Sequence, residues 1–298
     1  MPSKNSRPDF GQEFIEAVCK KFVLLLSCLD RPGIVHAVAG FLADRGCNIL
    51  DSAQFGDVSN SRFFIRVCFS STHSRERLAG EFTELADAFA MQWSLNDTTI
   101  RPGVVIMVSK FGHCLNDLLF RHGSGLLHVD IRAIVSNHPD FYSLATSYNI
   151  PFHCFPLDPG KKAEQEDRVL DVIESTKSDF VVLARYMQIL SDNFCSKLVG
   201  RAINIHHSFL PGFKGARPYH QAYERGVKVI GATAHYVTAE LDEGPIIGQE
   251  VIRVDHAFDP ETLANIGRDA ECIALAHAVK WHAEHRIILN GRKTVVFR

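Results

Sequence analysis

No apolar run in this 298-residue chain approaches the ~20 residues that span a bilayer, which argues against a membrane-spanning helix. The first residues, MPSKNSRPDFGQEF, have no apolar core and no small-residue cleavage site, so a signal peptide is not expected there. No long run of one charge occurs and the formal net charge is −2, which leaves nonspecific nucleic-acid or membrane binding without compositional support. The eight cysteines form no CxxC pair, and most sit in apolar contexts where a free thiol behaves as a small hydrophobe. A cytoplasmic protein with reduced thiols is the reading. GxGxxG and GxxxxGK[ST] are missing, so a nicotinamide or ATP site has no support. HExxH and cysteine-based zinc spacings are missing as well. The remaining metal candidates are the tandem His206–His207 and the helical His282 and His285 flanking Glu284. Adjacent strand residues point to opposite faces, so the tandem pair is not expected to reach one ion.

What is present suffices for two domains, with 46% hydrophobic and 22% charged residues. Residues 1–20 read as an extra N-terminal segment. From 21 to 100 the order β-α-β-β-α-β is predicted, a split ferredoxin-like unit. Its first helix lies in DRPGIVHAVAGFLADRG, with Asp30 near the start, Pro32 in the first turn and Gly46 past the end. CNILDSAQFGD reads as an alternating strand. Past a boundary at NDTTIRPG, residues 101–298 alternate strand and helix in a Rossmann-like, doubly wound α/β sheet, ending in a long helix near 260–285 and a hairpin. The fold class is thus α/β throughout.

The chemistry concentrates in 202–250. The short strand AINIH carries Asn204 and His206 to its end, and GATAHYV leads to the acidic turn LDEGP with Asp242. Open α/β sheets place their sites at such strand ends. An amide, an imidazole and a carboxylate can stabilise an oxyanion and move a proton during acyl transfer. In a partly dry cleft the Asp242 carboxylate would be basic enough to work. The loop SFLPGFKGARP, rich in Gly and Pro, is expected to be structured.

Three separated stretches, NIHHSFLPGFKG, GATAHYV and LDEGPII, resemble the folate-dependent formyltransferase family. VSKFGHCLNDLLFR, LARYMQIL and His207, where the family usually has proline, look like its deformylase branch. The resemblance covers nearly the whole chain. It implies a catalytic trio of Asn204, His206 and Asp242, and hydrolysis of 10-formyltetrahydrofolate to formate and tetrahydrofolate. That reaction would feed formate to purine biosynthesis and balance the one-carbon folate pool. It implies a folate cleft at Arg185, Met187, Gln188 and Leu190, with the turn Ala239, Glu240 and Leu241. No metal and no cofactor is implied, since the folate is the substrate. The 21–100 unit resembles an ACT domain through DRPGIV and GCNI. ACT domains pair side by side and bind amino-acid effectors, which implies a homo-oligomer (dimer or tetramer) with Asp30, Gly33 and Asn48 as effector positions. Transfer of the formyl group to an amine, and a non-catalytic folate or amino-acid sensor, are the competing functions.

Overall fold

Apolar residues at nearly every position make Lys20–Leu29 a buried strand, β1, flanked on both sides in its sheet. The computed structural model describes residues 19–212 and 218–298, so the N-terminal segment read at 1–20 lies almost wholly outside the described residues. The chain divides into two compact units, Met1–Thr99 and Ile100–Arg298.

In the first unit β1 leads to α1 (Ile34–Ala43), β2 (Asn48–Asp57), β3 (Arg62–Ser71), α2 (Arg75–Ala88) and β4 (Gln92–Asp97). The four strands are antiparallel neighbours in the order β2-β3-β1-β4. Ile65, Val67 and Phe69 of β3 join Ile34 and Val38 of α1 and Leu78 and Phe82 of α2 in one core. Each such side chain contributes roughly 1.5–3 kcal/mol by leaving water. Pro32 lies ahead of α1 rather than in its first turn. Gly33 caps the helix at φ +95°, a conformation open to glycine, and the helix starts only after it. β2 departs from the predicted alternation, because almost every residue on it is exposed. It is the edge strand, and Ile49, Leu50 and Phe55 on it remain open to solvent.

The second unit runs β5 (Gly103–Val108), α3 (His113–Gly123), β6 (Asp130–Ser136), α4 (Tyr142–Ser147), β7 (Phe152–Cys154), α5 (Lys162–Ser175), β8 (Phe180–Leu183), α6 (Asp192–Lys197) and β9 (Ala202–His206). Then come α7 (Pro218–Glu224), β10 (Val229–Tyr236), β11 (Ile246–Arg253), α8 (Pro260–Ala283) and the hairpin β12 (Ile287–Asn290) and β13 (Lys293–Val296). The seven-stranded sheet has the order β11-β10-β9-β8-β5-β6-β7. β5 to β9 are parallel, whereas β10 and β11 close the edge antiparallel. Val104, Ile106 and Val108 pack under α3 and α8, and the alternate Val105 and Met107 under α5. Both faces are therefore covered, as a parallel sheet requires. The winding reverses between β5 and β8, and the crevice beyond their carboxyl ends is the switch point of such a sheet. All eight cysteines are free. No helix among the described residues is long and apolar enough to cross a membrane.

Candidate active site

A cavity of about 590 Å³ opens at that switch point, within the size range of small-molecule sites. Its wall is built from the ends of β8 and β9, the β10–β11 turn, the start of α3 and the middle of α8. Asn204, His206 and Asp242 all line it. β9 and β10 are antiparallel, with Asn204 directly opposite His235. That register places Asn204 Nδ2 3.2 Å from His235 Nε2. His235 Nδ1 is 2.9 Å from the Tyr236 carbonyl, which can only accept, so Nδ1 carries the proton and Nε2 accepts from the amide. Asp242 sits at φ +57° in the turn, a conformation that Asp tolerates better than most residues. Gly244 lets this turn close against β10, because a Cβ there would run into the Tyr236 carbonyl.

The turn brings Asp242 Oδ2 within 3.2 Å of His206 Nδ1, and Oδ1 within 3.6 Å of His235 Nε2. Burial works against the Asp242 charge. The hydrogen bond from His206 Nδ1–H outweighs it and holds the carboxyl well below the usual carboxylate range. This corrects the sequence expectation of a more basic Asp242: an imidazole from a distant part of the chain stabilises its anion. His206 is buried, its Nδ1–H meets Asp242, and its Nε2 has no hydrogen-bond partner among the described residues. His207 lies just past the strand, so alternation no longer separates it from His206. Both line the cavity, with ring centroids 5.0 Å apart. Burial, then the charges of Arg185 and His206, push His207 down to about 4, which leaves it neutral near pH 7.

Past His206 the chain is tied back to the sheet. Thr233 Oγ1 donates to the Ser208 carbonyl and accepts from Leu210 N–H, while Gln249 Nε2 donates to the Leu210 carbonyl. The loop predicted at SFLPGFKGARP is described as far as Gly212, and 213–217 lie outside the described residues.

Of the folate positions, Arg185, Met187, Gln188, Leu190, Ala239 and Leu241 line the cavity. The Met187 N–H already donates to Ser109 Oγ at 3.0 Å, and the Arg185 carbonyl accepts from Ser109 N–H at 3.2 Å. Those two backbone groups hold the turn after β8 instead of facing a ligand. Glu240 is not on the wall. Its side chain is 75% exposed, with a carboxylate oxygen 3.9 Å from Arg292 Nη2. Asp30 and Gly33 follow β1, whereas Asn48 begins β2, and β1 and β2 both run antiparallel to β3. Asp30 lies level with Ser61 and Asn48 with Ser70 along the β3 strand, so they stand at opposite ends of the sheet, about 30 Å apart at ~3.3 Å per residue. One unit does not bring the three effector positions together, because the α1 crossover separates them.

His235 was missed by sequence reasoning, although the signal was present: an imidazole opposite Asn204 in the GATAHYV strand. A second polar group was missed too. Glu271, 1% exposed, accepts from His113 Nε2 at 2.8 Å and from Tyr219 OH at 2.9 Å, with Arg185 Nε 3.3 Å away. Tyr219 reaches it across Gly267, where a Cβ would meet the tyrosine ring. Burial opposes the Glu271 charge, but the His113 hydrogen bond and Arg185 overcome it and lower its pKa. A lone carboxylate among the buried helix positions Gly267, Ala270, Ala274 and Ala278 was its sequence signal.

His113, Cys114 and Glu271 are the one trio among the described residues whose potential metal-ligand atoms lie within 4.8 Å of one another. They fit a cation poorly. The Glu271 oxygens are already accepting, Arg185 stands beside them, and hydrogen bonding to Cys272 and burial push the Cys114 thiol far up. His282 is no better, since its Nδ1 is 2.8 Å from Tyr236 OH and burial pushes it down to about 4.

The formyl transferase family model matches residues 103–279, and the ACT domain model residues 22–87. The chain is 52% identical to a formyltetrahydrofolate deformylase of a Corynebacterium species, over 93% of this chain and 98% of that protein. The crystal structure of a formyltetrahydrofolate deformylase from Burkholderia mallei is 54% identical with a TM-score of 0.90, covering 94% of this chain and 100% of that one. A glycinamide ribonucleotide transformylase from Symbiobacterium toebii matches at 28% identity and a TM-score of 0.62, over 66% of this chain and 95% of its own.

Proposed function

The chain belongs to the formyltetrahydrofolate deformylases, and from that premise we propose that it hydrolyses 10-formyltetrahydrofolate to formate and tetrahydrofolate. One observation carries the mechanism. The buried His206 ring lines the cavity, is anchored through Nδ1 on Asp242, and has an Nε2 without a hydrogen-bond partner among the described residues. The formyl group on an aryl amine is an amide, so attack by water passes through a tetrahedral oxyanion. The Asn204 amide has two N–H groups. One donates to His235, and the other is available to the formyl oxygen. Removing such a donor costs ~2.7–4 kcal/mol of barrier. Asp242, ionised and weakly basic, orients His206 and the attacking water. His206 Nε2 delivers a proton to the departing nitrogen.

Water as acceptor is favoured by the segment after β5. Instead of a phosphate-binding loop it supplies His113, which is engaged with Glu271. We assign the folate to the wall formed by Arg185, Met187, Gln188, Leu190, Ala239 and Leu241, and leave Glu240 out. We further propose a cytoplasmic location, with which the free thiols are consistent, and, from the family resemblance, that the enzyme needs no cofactor beyond its folate substrate and supplies formate for purine biosynthesis. The open β2 edge supports a homo-oligomer built through the ACT unit. An effector site joining Asp30 and Gly33 to Asn48 would then take two copies.

The test is formate release from 10-formyltetrahydrofolate by purified protein, with chelator and without any amine. Turnover is expected. Release only on addition of an amine acceptor would make it a transformylase, and folate binding without turnover would make it a sensor.

A further inference from the structure

The Arg185 side chain plays no part in the mechanism above, yet the fold goes to some length to place it. Arg185 follows β8 at φ +64°, a left-handed conformation unfavourable for a long side chain. Ser109 clamps that backbone. Its N–H donates to the Arg185 carbonyl, and its Oγ accepts from Met187 N–H and donates to Asn137 Oδ1 at 2.7 Å. A strained residue that its surroundings over-determine is a pointer to function. The side chain is nine-tenths buried and lines the cavity. Its Nε stands 3.3 Å from Glu271 Oε2 without the alignment of a hydrogen bond, and Nη1 has no partner among the described residues. Glu271 spends its oxygens on Tyr219 and His113. It offsets the charge of Arg185 and leaves guanidinium N–H groups without an acceptor. Buried donors without an acceptor are costly and rare, so a ligand is the acceptor this arrangement calls for.

The reaction makes one new anion. The water oxygen bonds to the formyl carbon, the C–N bond breaks, the nitrogen takes a proton, and formate forms with release of one proton. Asp242, ionised, lines the same cavity and repels that product. His207, beside His206 and within the field of Arg185, is neutral and cannot hold it by charge. We propose, building on the hydrolase reading, that the Arg185 guanidinium is a carboxylate-binding group that receives the formate product inside the cavity. Guanidinium is the side chain best matched to a carboxylate. A carboxylate could also come from the glutamate of the folate, and the experiment separates the two sources.

The full chain is titrated with carbon-13 formate in the absence of folate, and binding is followed by NMR. Wild type is expected to bind formate and to release it to nitrate, a planar competitor. Arg185→Gln should weaken that binding about ten- to hundredfold, the loss of one hydrogen bond to a charged group, with Arg185→Lys intermediate. No formate binding by wild type, or equal binding by a folded Arg185→Gln, overturns the proposal. If Arg185→Gln does not fold, Arg185→Lys decides. It is assayed on 10-formyltetrahydrofolate and on the analogue lacking glutamate. A rise in KM confined to the glutamate-bearing substrate assigns the guanidinium to glutamate and overturns the formate site. Weaker formate inhibition with that KM difference absent upholds it. The binding arm needs no turnover, so failure of the hydrolase reading shows separately, as wild type that binds formate but releases none from the folate.

Discussion

Asp242 and Glu271 line one cavity, both with lowered pKa values, yet they are built for different work. Asp242 comes from a turn, is 13% exposed, and holds an imidazole that lines the cavity and whose far nitrogen has no hydrogen-bond partner among the described residues. Glu271 comes from the middle of α8, is 1% exposed, and meets donors on both oxygens. A carboxylate paired with a ring that has one nitrogen to spare can relay a proton. A carboxylate saturated by a tyrosine, a histidine and an arginine can only hold those groups still.

If this contrast is right, substitutions at the two sites separate activity from stability. Asp242→Asn should lower turnover about a thousandfold, since it takes away the anion that orients His206, while folate binding persists. Steady-state rates beside a folate titration check it, and unchanged turnover would remove Asp242 from the mechanism. Glu271→Gln should act first on stability, by about 3–5 kcal/mol, because it leaves Arg185 buried without its counter-charge. The unfolding midpoint of the second unit in urea reads this out. His235→Leu should keep the fold and slow turnover about a hundredfold by releasing Asn204 from its register partner. KM should hardly move, and a loss confined to KM would count against the positioning role.

The smallest effect concerns pH. His207 and His282 have folded-state values near 4 against an ordinary 6.5, so the unfolded chain binds their protons first. Stability from each is complete above pH 6.5 and is lost as pH falls toward about 4. Each adds up to one proton to the slope of stability against pH in that window. His207→Gln should flatten the slope by its share, and an unchanged slope would show that His207 titrates normally in the fold.

Much of this was legible in the chain. Asn204, His206 and Asp242 could be picked out because each lies at the end of a short apolar strand or in the turn beside one, and that context is local. Most helices and strands of the second unit followed from apolar periodicity for the same reason, but α7 was not foreseen. β2 misled, because Ile49, Asp51, Ala53 and Phe55 carry an alternating pattern that an edge strand need not bury. His235 and Glu271 escaped notice because what marks them is the strand opposite or the helix face beneath.

Local patterns were enough for the two-unit organisation and the family, and they marked the candidate trio, since neighbouring residues carry these signals together. What the groups do to one another came from their packing in three dimensions. It made Asp242 a stabilised anion and not a base, left His206 Nε2 and Arg185 Nη1 without a hydrogen-bond partner among the described residues, and set Asp30 and Asn48 at opposite ends of a sheet. Charge, desolvation and hydrogen bonding act over a few ångströms of space, and the partners that decide them lie tens of residues apart along the chain.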